Sequence, residues 1–199
     1  GFSGAGKGTL MKELLKQYYN YALSVSATTR QPREGEKDGE DYFFVTKELF
    51  QQMIEENQLV EYAQYVNHYY GTPREYVEKK MAEGKDVILE IEIQGALKVK
   101  KRFPDALLLF ITPPNAEELR RRLVGRGTET IEVINARLRR AAEEAAGMEA
   151  YDYLLINDEI QPCVEQMHQL IQLQHNKTSY HLDFLSRMRE DLYHLDDRK

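Results

Sequence analysis

Gly1, Gly6 and Lys7 stand at the spacing G-x-x-x-x-G-K in the opening stretch GFSGAGKG. Glycines so placed let consecutive backbone N–H groups curl around an anion, and the lysine reaches the outer phosphates. The chemistry on offer is phosphate binding by Gly1, Ser3, Gly4, Ala5, Gly6, Lys7 and Gly8. A glycine-rich turn that merely caps a helix would read the same way. Two features depart from the pattern. Gly8 occupies the place of a magnesium-binding hydroxyl, the next hydroxyl being Thr9, and no apolar run comes before Gly1. Phosphate loops follow the carboxyl end of a buried strand, so we expect a longer native chain in which such a strand precedes Gly1.

A second group with anion chemistry lies in SVSATTRQPREGEKDGEDYFFV and QLVEYAQYVNHYYGTPREYV, where Arg30 and Arg33 are flanked by Pro32 and Gly35 and joined by the hydroxyls of Tyr42 and Tyr70. An arginine fork donates two parallel hydrogen bonds and stays charged at any relevant pH, which suits a phosphate. Two arginines in a polar loop are equally a solvated surface. More arginines follow in RRRLVGRG, residues 120 to 127.

The elements that must position these groups come from periodicity. Leu10, Met11, Leu14 and Leu15 share one face of a helix after the loop. Strands are expected at Ala22 to Ala27, Asp41 to Val45, Leu59 to Val66, Val87 to Ile93, Ala106 to Ile111 and Tyr153 to Ile156. DVILEIEI and ALLLFI are almost continuously apolar or β-branched, as strands covered on both faces are. Strands alternating with helices make an α/β fold with a mostly parallel sheet flanked by helices. Residues 27–84 alternate more and are rich in tyrosine, a smaller lobe. Asn115 with Glu118 forms a capping box after Pro113-Pro114. Thr72-Pro73-Arg74-Glu75 has the form of a helix start, with Thr72 as a cap.

Composition narrows the function classes. The chain has 199 residues, 42% hydrophobic and 30% charged, with a formal charge of −6, enough for one domain with a sizeable core. An acidic balance argues against a nucleic-acid binder, so any phosphate must meet local arginines. The single Cys163 excludes an internal disulfide and fits a reducing compartment. No apolar run approaches the ~20 residues that span a bilayer, and we expect a cytoplasmic protein with no membrane partner. The five histidines show no ligand spacing. Lys98, Lys100, Lys101 and Arg102 read as a solvated helix face. Leu182, Leu185, Met188, Leu192 and Leu195 recur at helical spacing near the carboxyl end, an amphipathic extension available to the body or to a second copy in a homo-oligomer.

Taken in order, SxSxTTRxPRxGExxGxDYxFV, NHYYGTP, LEIEIQGA and GRGTET resemble guanylate kinase from Gly1 to about Gln172. The resemblance implies a P-loop kinase of three parts: a body over residues 1–175, a small mixed α/β GMP-binding lobe at 27–84 and a helical lid at 122–146, with 176–199 as a helical extension. It implies transfer of the γ-phosphoryl of ATP to GMP, with ATP and GMP as the small-molecule partners. By resemblance Arg30, Arg33, Tyr42 and Tyr70 hold the GMP phosphate, with Glu36 in the same loop. Ser26, Glu61, Thr72, Glu90 and Glu92 surround the guanine; family members often have aspartate where this chain has Glu92. Arg122, Arg126 and Arg137 gather with Lys7 around the ATP phosphates and the group in transfer, and Asn157 matches a position near the adenine. Mg2+ is the implied cofactor. It keeps several waters and needs few protein ligands, so Thr9 with a water-mediated carboxylate from Glu90 or Glu92 is expected to suffice. Gly125 and Gly127 are expected to act as lid pivots. Guanylate-kinase-like binding modules without catalysis, and a related P-loop kinase for a phosphorylated sugar, are the alternatives. The first would have lost the loop that this chain retains, and the second would have no use for the guanine-facing set.

Overall fold

A computed structural model describes residues 1–65, 67–125 and 130–196. The chain begins with the loop and enters helix α1 (Lys7–Gln17), which buries Leu10, Met11 and Leu14 and leaves Leu15 at the surface. Strand β1 (Tyr21–Leu23) pairs in parallel with β6 (Asp86–Ile88), and β7 (Leu109–Thr112) pairs in parallel with β8 (Tyr153–Ile156). Helix α4 (Ile93–Arg102) lies between β6 and β7 in the chain, α5 (Ala116–Gly125) and α6 (Ile131–Ala145) between β7 and β8, and α7 (Ile160–His175) after β8. The core fills the space between the strands and α1, α5, α6 and α7 with Phe2, Leu10, Leu14, Phe110, Leu123, Leu155, Val164 and Met167. Each such side chain contributes roughly 1.5–3 kcal/mol by leaving water. The loop is pinned to this core at its start, where the Phe2 ring meets Phe110 edge-on at 5.0 Å.

The lobe is a separate four-stranded sheet in the order β3-β2-β5-β4, made of β2 (Ala27–Thr28), β3 (Phe43–Phe44), β4 (Leu59–Tyr65) and β5 (His68–Pro73). Helix α2 (Lys47–Glu55) is capped by the Thr46 hydroxyl, which accepts from Leu49 N at 3.1 Å, and covers the sheet through Phe50, stacked on Tyr69. Helix α3 (Arg74–Ala82) returns the chain to the body, where the Tyr76 hydroxyl donates to Leu23 O at 3.0 Å.

Several expected elements change. The run Ala22 to Ala27 divides between two sheets, its first residues in β1 and Ala27 in β2. The run Val87 to Ile93 ends as a strand at Ile88, because Glu92 is already the N-cap of α4. Strand β5 lies in YYGTP, where Gly71 and Pro73 mask it in sequence. Pro73, not Thr72, occupies the N-cap of α3 and makes no side-chain cap bond; Thr72 is fully buried in β5. Asn115 caps α5 as expected, accepting from Glu118 N at 2.8 Å.

The basic side of α4 is not merely solvated. Lys98 donates to Tyr62 O, Arg102 to Leu59 O and Val60 O, and Lys100 to Ala106 O and Asp152. Helix α8 (Leu182–Asp196) leaves Leu182, Phe184, Met188, Leu192 and Leu195 exposed, so its apolar side is not packed on the body. No helix among the described residues is long and apolar enough to cross a membrane.

Candidate active site

The phosphate loop is held open from behind. Gly6 has φ 88°, the left-handed region that favours glycine, and a Cβ there would lie 2.6 Å from Asn157 Nδ2. That same amide donates to Ala5 O at 2.8 Å from a buried position. Asn157 therefore shapes the loop from behind and is not among the residues that line the loop's pocket. Loop N–H groups and the N-terminus of α1 together form an anion site. The pocket above it, about 410 Å³, is lined by Ser3, Gly4, Gly6, Lys7, Gly8, Thr9, Lys12 and Glu90. Lys7 Nζ donates to Gly1 O at 3.0 Å and Phe2 O at 2.9 Å, which keeps its charge against the loop.

Arginines from the expected lid converge on this loop. Arg137 donates to Ser3 Oγ at 2.8 Å. Arg122 approaches Ala5 O at 3.4 Å and Asp158 O at 3.5 Å while its Nε holds Glu118 at 2.6 Å. Arg121 and then Arg122 pull the Glu118 carboxyl down to about 2. Arg126 and Gly127 lie outside the described residues. One residue the sequence reading passed over is Arg140, on the turn of α6 after Arg137. It pairs with Glu144 at 3.4 Å and acts with Lys7 to offset the burial and the Glu144 charge that raise the Glu92 carboxyl. Its spacing from Arg137 on one helix face was the available signal.

Gly8 has nothing within 4 Å of where a Cβ would stand, so crowding does not explain the missing hydroxyl. Of the side-chain oxygens in the loop pocket, Ser3 Oγ already accepts from Arg137, and Thr9 and Glu90 suit a hard cation. Glu92 is not among its lining residues, which favours Glu90 of the two carboxylates. Among the described residues no cluster of three or more His, Cys, Asp or Glu forms a protein-only metal cage. Two donors fit a magnesium ion whose other ligands are phosphate oxygens and water.

In the lobe, Arg30 is half-buried between the rings of Tyr42 and Phe44, 5.2 and 5.7 Å from its guanidinium carbon. Its fork is bidentate to Glu36 at 2.9 and 2.8 Å. Arg30 first, then the Arg33 backbone, lowers the Glu36 carboxyl. Glu36 thus orients an arginine, and Tyr42 and Tyr70 meet edge-on beside it at 6.1 Å. Arg33 is exposed, its backbone N–H donating to Glu36 at 2.7 Å.

Further along the sheet, Glu61 is buried at 6% exposure and accepts from Thr72 Oγ1 at 2.9 Å. Ser26 immediately precedes β2, whose Ala27 pairs with Gly71, the residue before Thr72. Burial raises the Glu61 carboxyl above its ordinary range, only partly offset by Thr72 and Lys98. Both the hydroxyl and the backbone N–H of Thr72 act on this buried carboxylate, and a carboxylate has lone pairs enough to accept further donors.

Comparison with known proteins agrees with this geometry. A family model described as guanylate kinase matches residues 1–174. The chain belongs to the guanylate kinase family. It is 50% identical over 177 residues to a guanylate kinase of Oceanobacillus iheyensis, covering 89% of this chain and 86% of that one. It is 47% identical over 192 residues to a guanylate kinase of Lactococcus lactis, covering 96% and 94%. The crystal structure of guanylate kinase from Anaplasma phagocytophilum superposes with a TM-score of 0.72 at 35% identity, covering 86% of this chain and 83% of that one. The fold is thus that of a guanylate kinase, a P-loop α/β kinase.

The raised carboxyl has a consequence for stability. Glu61 binds its proton more tightly when folded than when unfolded, so its ionisation is no burden below the ordinary carboxylate range and a full one above the raised value. The ligand-free Glu61→Gln variant should therefore melt above the parent at about pH 8, with the advantage shrinking towards about pH 5. Thermal melts of both proteins at the two pH values check this. A variant that melts lower at both would mean that the carboxylate is not strained in the empty site.

Proposed function

We propose that the chain transfers the γ-phosphoryl group of ATP to GMP, giving ADP and GDP, as a cytoplasmic nucleoside-monophosphate kinase. The observation that carries this reading is the buried Glu61 carboxylate, bonded by the Thr72 hydroxyl, in a molecule that also presents a lysine-bearing phosphate loop. Guanine offers N1–H and a 2-amino group as adjacent donors, which a carboxylate can accept as a pair. Adenine has no such pair. A kinase for a phosphorylated sugar would gain nothing from burying that acid, and a peptide-binding module would not need Arg122 and Arg137 on the loop.

The roles we assign follow from charge. A phosphate monoester has a second pKa near ~6, so the GMP phosphate is largely a dianion at neutral pH and attacks without a base. Catalysis is then positioning and neutralisation. Arg30, aimed by Glu36, and Arg33, Tyr42 and Tyr70 hold the GMP phosphate. Lys7, the loop amides, Arg122 and Arg137 bear on the ATP phosphates. Magnesium, held through Thr9 and Glu90 with water and phosphate oxygens, would supply charge neutralisation between the β- and γ-phosphates. A lid over 122–146 that closes on residues 27–84 would exclude water as a competing acceptor.

The test is ADP formation from ATP over a panel of nucleoside monophosphates. GMP should be the best acceptor, inosine monophosphate weaker by about tenfold to a hundredfold for one lost charge-assisted hydrogen bond, and AMP inert. Lys7→Met should lower turnover by a factor on the order of 10² to 10³ with the fold intact. Near-normal turnover of that variant would defeat the kinase reading.

Two groups of arginines should separate kinetically. Arg30→Ala should chiefly raise KM for GMP, and Arg137→Ala should chiefly lower kcat. The opposite pattern would exchange the roles of lobe and lid.

Self-association through α8 also belongs to this reading, because its leucines and Phe184 face solvent and a second copy would cover them. Sedimentation of the full chain should give a mass above that of one copy, and a monomer at all concentrations would remove this part.

A further inference from the structure

The acid of the small lobe is set in place by a helix of the body. Strand β4 is the edge of its sheet, and an edge strand leaves a row of backbone groups unpaired. Helix α4 lies along that edge with Gly95, Lys98 and Arg102 on one stripe, spaced i, i+3 and i+7. Lys98 Nζ donates to Tyr62 O at 2.8 Å and sits 5.0 Å from the Tyr62 ring centre. Arg102 donates to Leu59 O at 3.2 Å, Val60 O at 3.3 Å and Asn57 Oδ1 at 3.2 Å. These bonds flank Glu61 on both sides in sequence.

Glu61 itself meets the helix where the helix has no side chain. A Cβ on Gly95 would stand 2.5 Å from Glu61 Oε2 and 3.2 Å from Cδ. The other oxygen, Oε1, accepts from Thr72. An alanine at 95 would therefore push the carboxylate off its position, since its Oε1 end is already tied to a buried hydroxyl.

We propose that α4 governs how the base is read: Gly95 and Lys98 are specificity-determining positioning residues that hold the Glu61 carboxylate against the body, in place and ready to accept the two donors of guanine. The proposal rests on the reading of Glu61 as the acceptor for guanine. The charged groups that bear on Glu61 are Lys98 and Glu92, both from α4, with opposite signs. The acid from the lobe thus answers to charges carried by the body. Loss of Lys98 leaves burial and Glu92 acting together to favour the protonated form, which can accept through fewer lone pairs and would set a donor of its own against the guanine donors.

The experiment measures kcat/KM for GMP and for inosine monophosphate, KM for ATP and the pH profile of kcat/KM for GMP. It uses the full chain and its Glu61→Gln, Gly95→Ala, Lys98→Met and Lys98→Arg variants. Gly95→Ala should raise KM for GMP and shrink the ratio of GMP to inosine monophosphate about tenfold, with KM for ATP unchanged. Lys98→Met should move the acidic limb of the profile to higher pH, and Lys98→Arg should restore it. The substrate phosphate titrates equally in every variant and cancels in the comparison. If Glu61→Gln shrinks the ratio while folded Gly95→Ala leaves it unchanged, the proposal is overturned and the reading of Glu61 stands. If Glu61→Gln leaves the ratio unchanged, the reading of Glu61 fails and takes the proposal with it. Should Gly95→Ala not fold, the Lys98→Met profile decides, and an unmoved acidic limb overturns the proposal.

Discussion

The bend of residues 3–7 is the constraint on which the rest depends, because converging backbone N–H groups give an acidic chain a local positive field on which the arginines can then build. That bend needs a left-handed residue at Gly6 and a partner for the Ala5 carbonyl that it turns outward. Asn157 serves both requirements. Its amide satisfies the carbonyl and occupies the volume that any side chain at position 6 would need. Asn157 follows directly on β8, and Phe2 rests on Phe110 of β7, so the loop inherits its rigidity from the hydrophobic core. Anion binding costs least where the donors are already aimed.

In the lobe and beside the loop, the arginines are engaged without any nucleotide. Arg30 is bidentate to Glu36 and Arg122 is held by Glu118. A phosphate dianion offers each guanidinium a bidentate acceptor, as its glutamate does. Meanwhile the pairs with glutamate limit the rotamers of long side chains and spare binding part of that entropy. The Arg137 contact with Ser3 does the same between α6 and the loop.

The lobe follows a different rule. Its sheet is small and its core is little more than Ala27, Phe50 and Leu59 with a few flanking side chains, yet it buries an acid at Glu61. A protein selected for stability alone would place a neutral residue there. The tolerance comes from α4, which supplies cations to the edge of β4 and a bare Cα to the carboxylate. One helix of the body thus bears on both the edge of the lobe's sheet and its buried acid.

Much of this was legible in the residues alone wherever the physics is local. The phosphate loop depends on glycine conformations and a lysine within eight consecutive positions, the helix α1 on apolar residues one turn apart, and the cap at Asn115 on a bond three residues long. What tertiary structure alone decided involves partners distant in the chain. Thr72 has the sequence of a helix cap, but its hydroxyl goes to Glu61, eleven residues back and across a strand pair. Strand β5 escapes periodicity because Gly71 and Pro73 carry weak strand propensity, and pairing on both sides with β2 and β4 overrides it. Lys98 and Arg102 have the look of a solvated face until the unpaired carbonyls of β4 lie beside them. Nothing in the spacing around Asn157 announces the bond to the Ala5 carbonyl that its amide makes behind the loop. The division is physical: hydrogen bonds and rotamer preferences within a turn are written in spacing, whereas the partner of a buried polar group is chosen by which surfaces the hydrophobic core brings together.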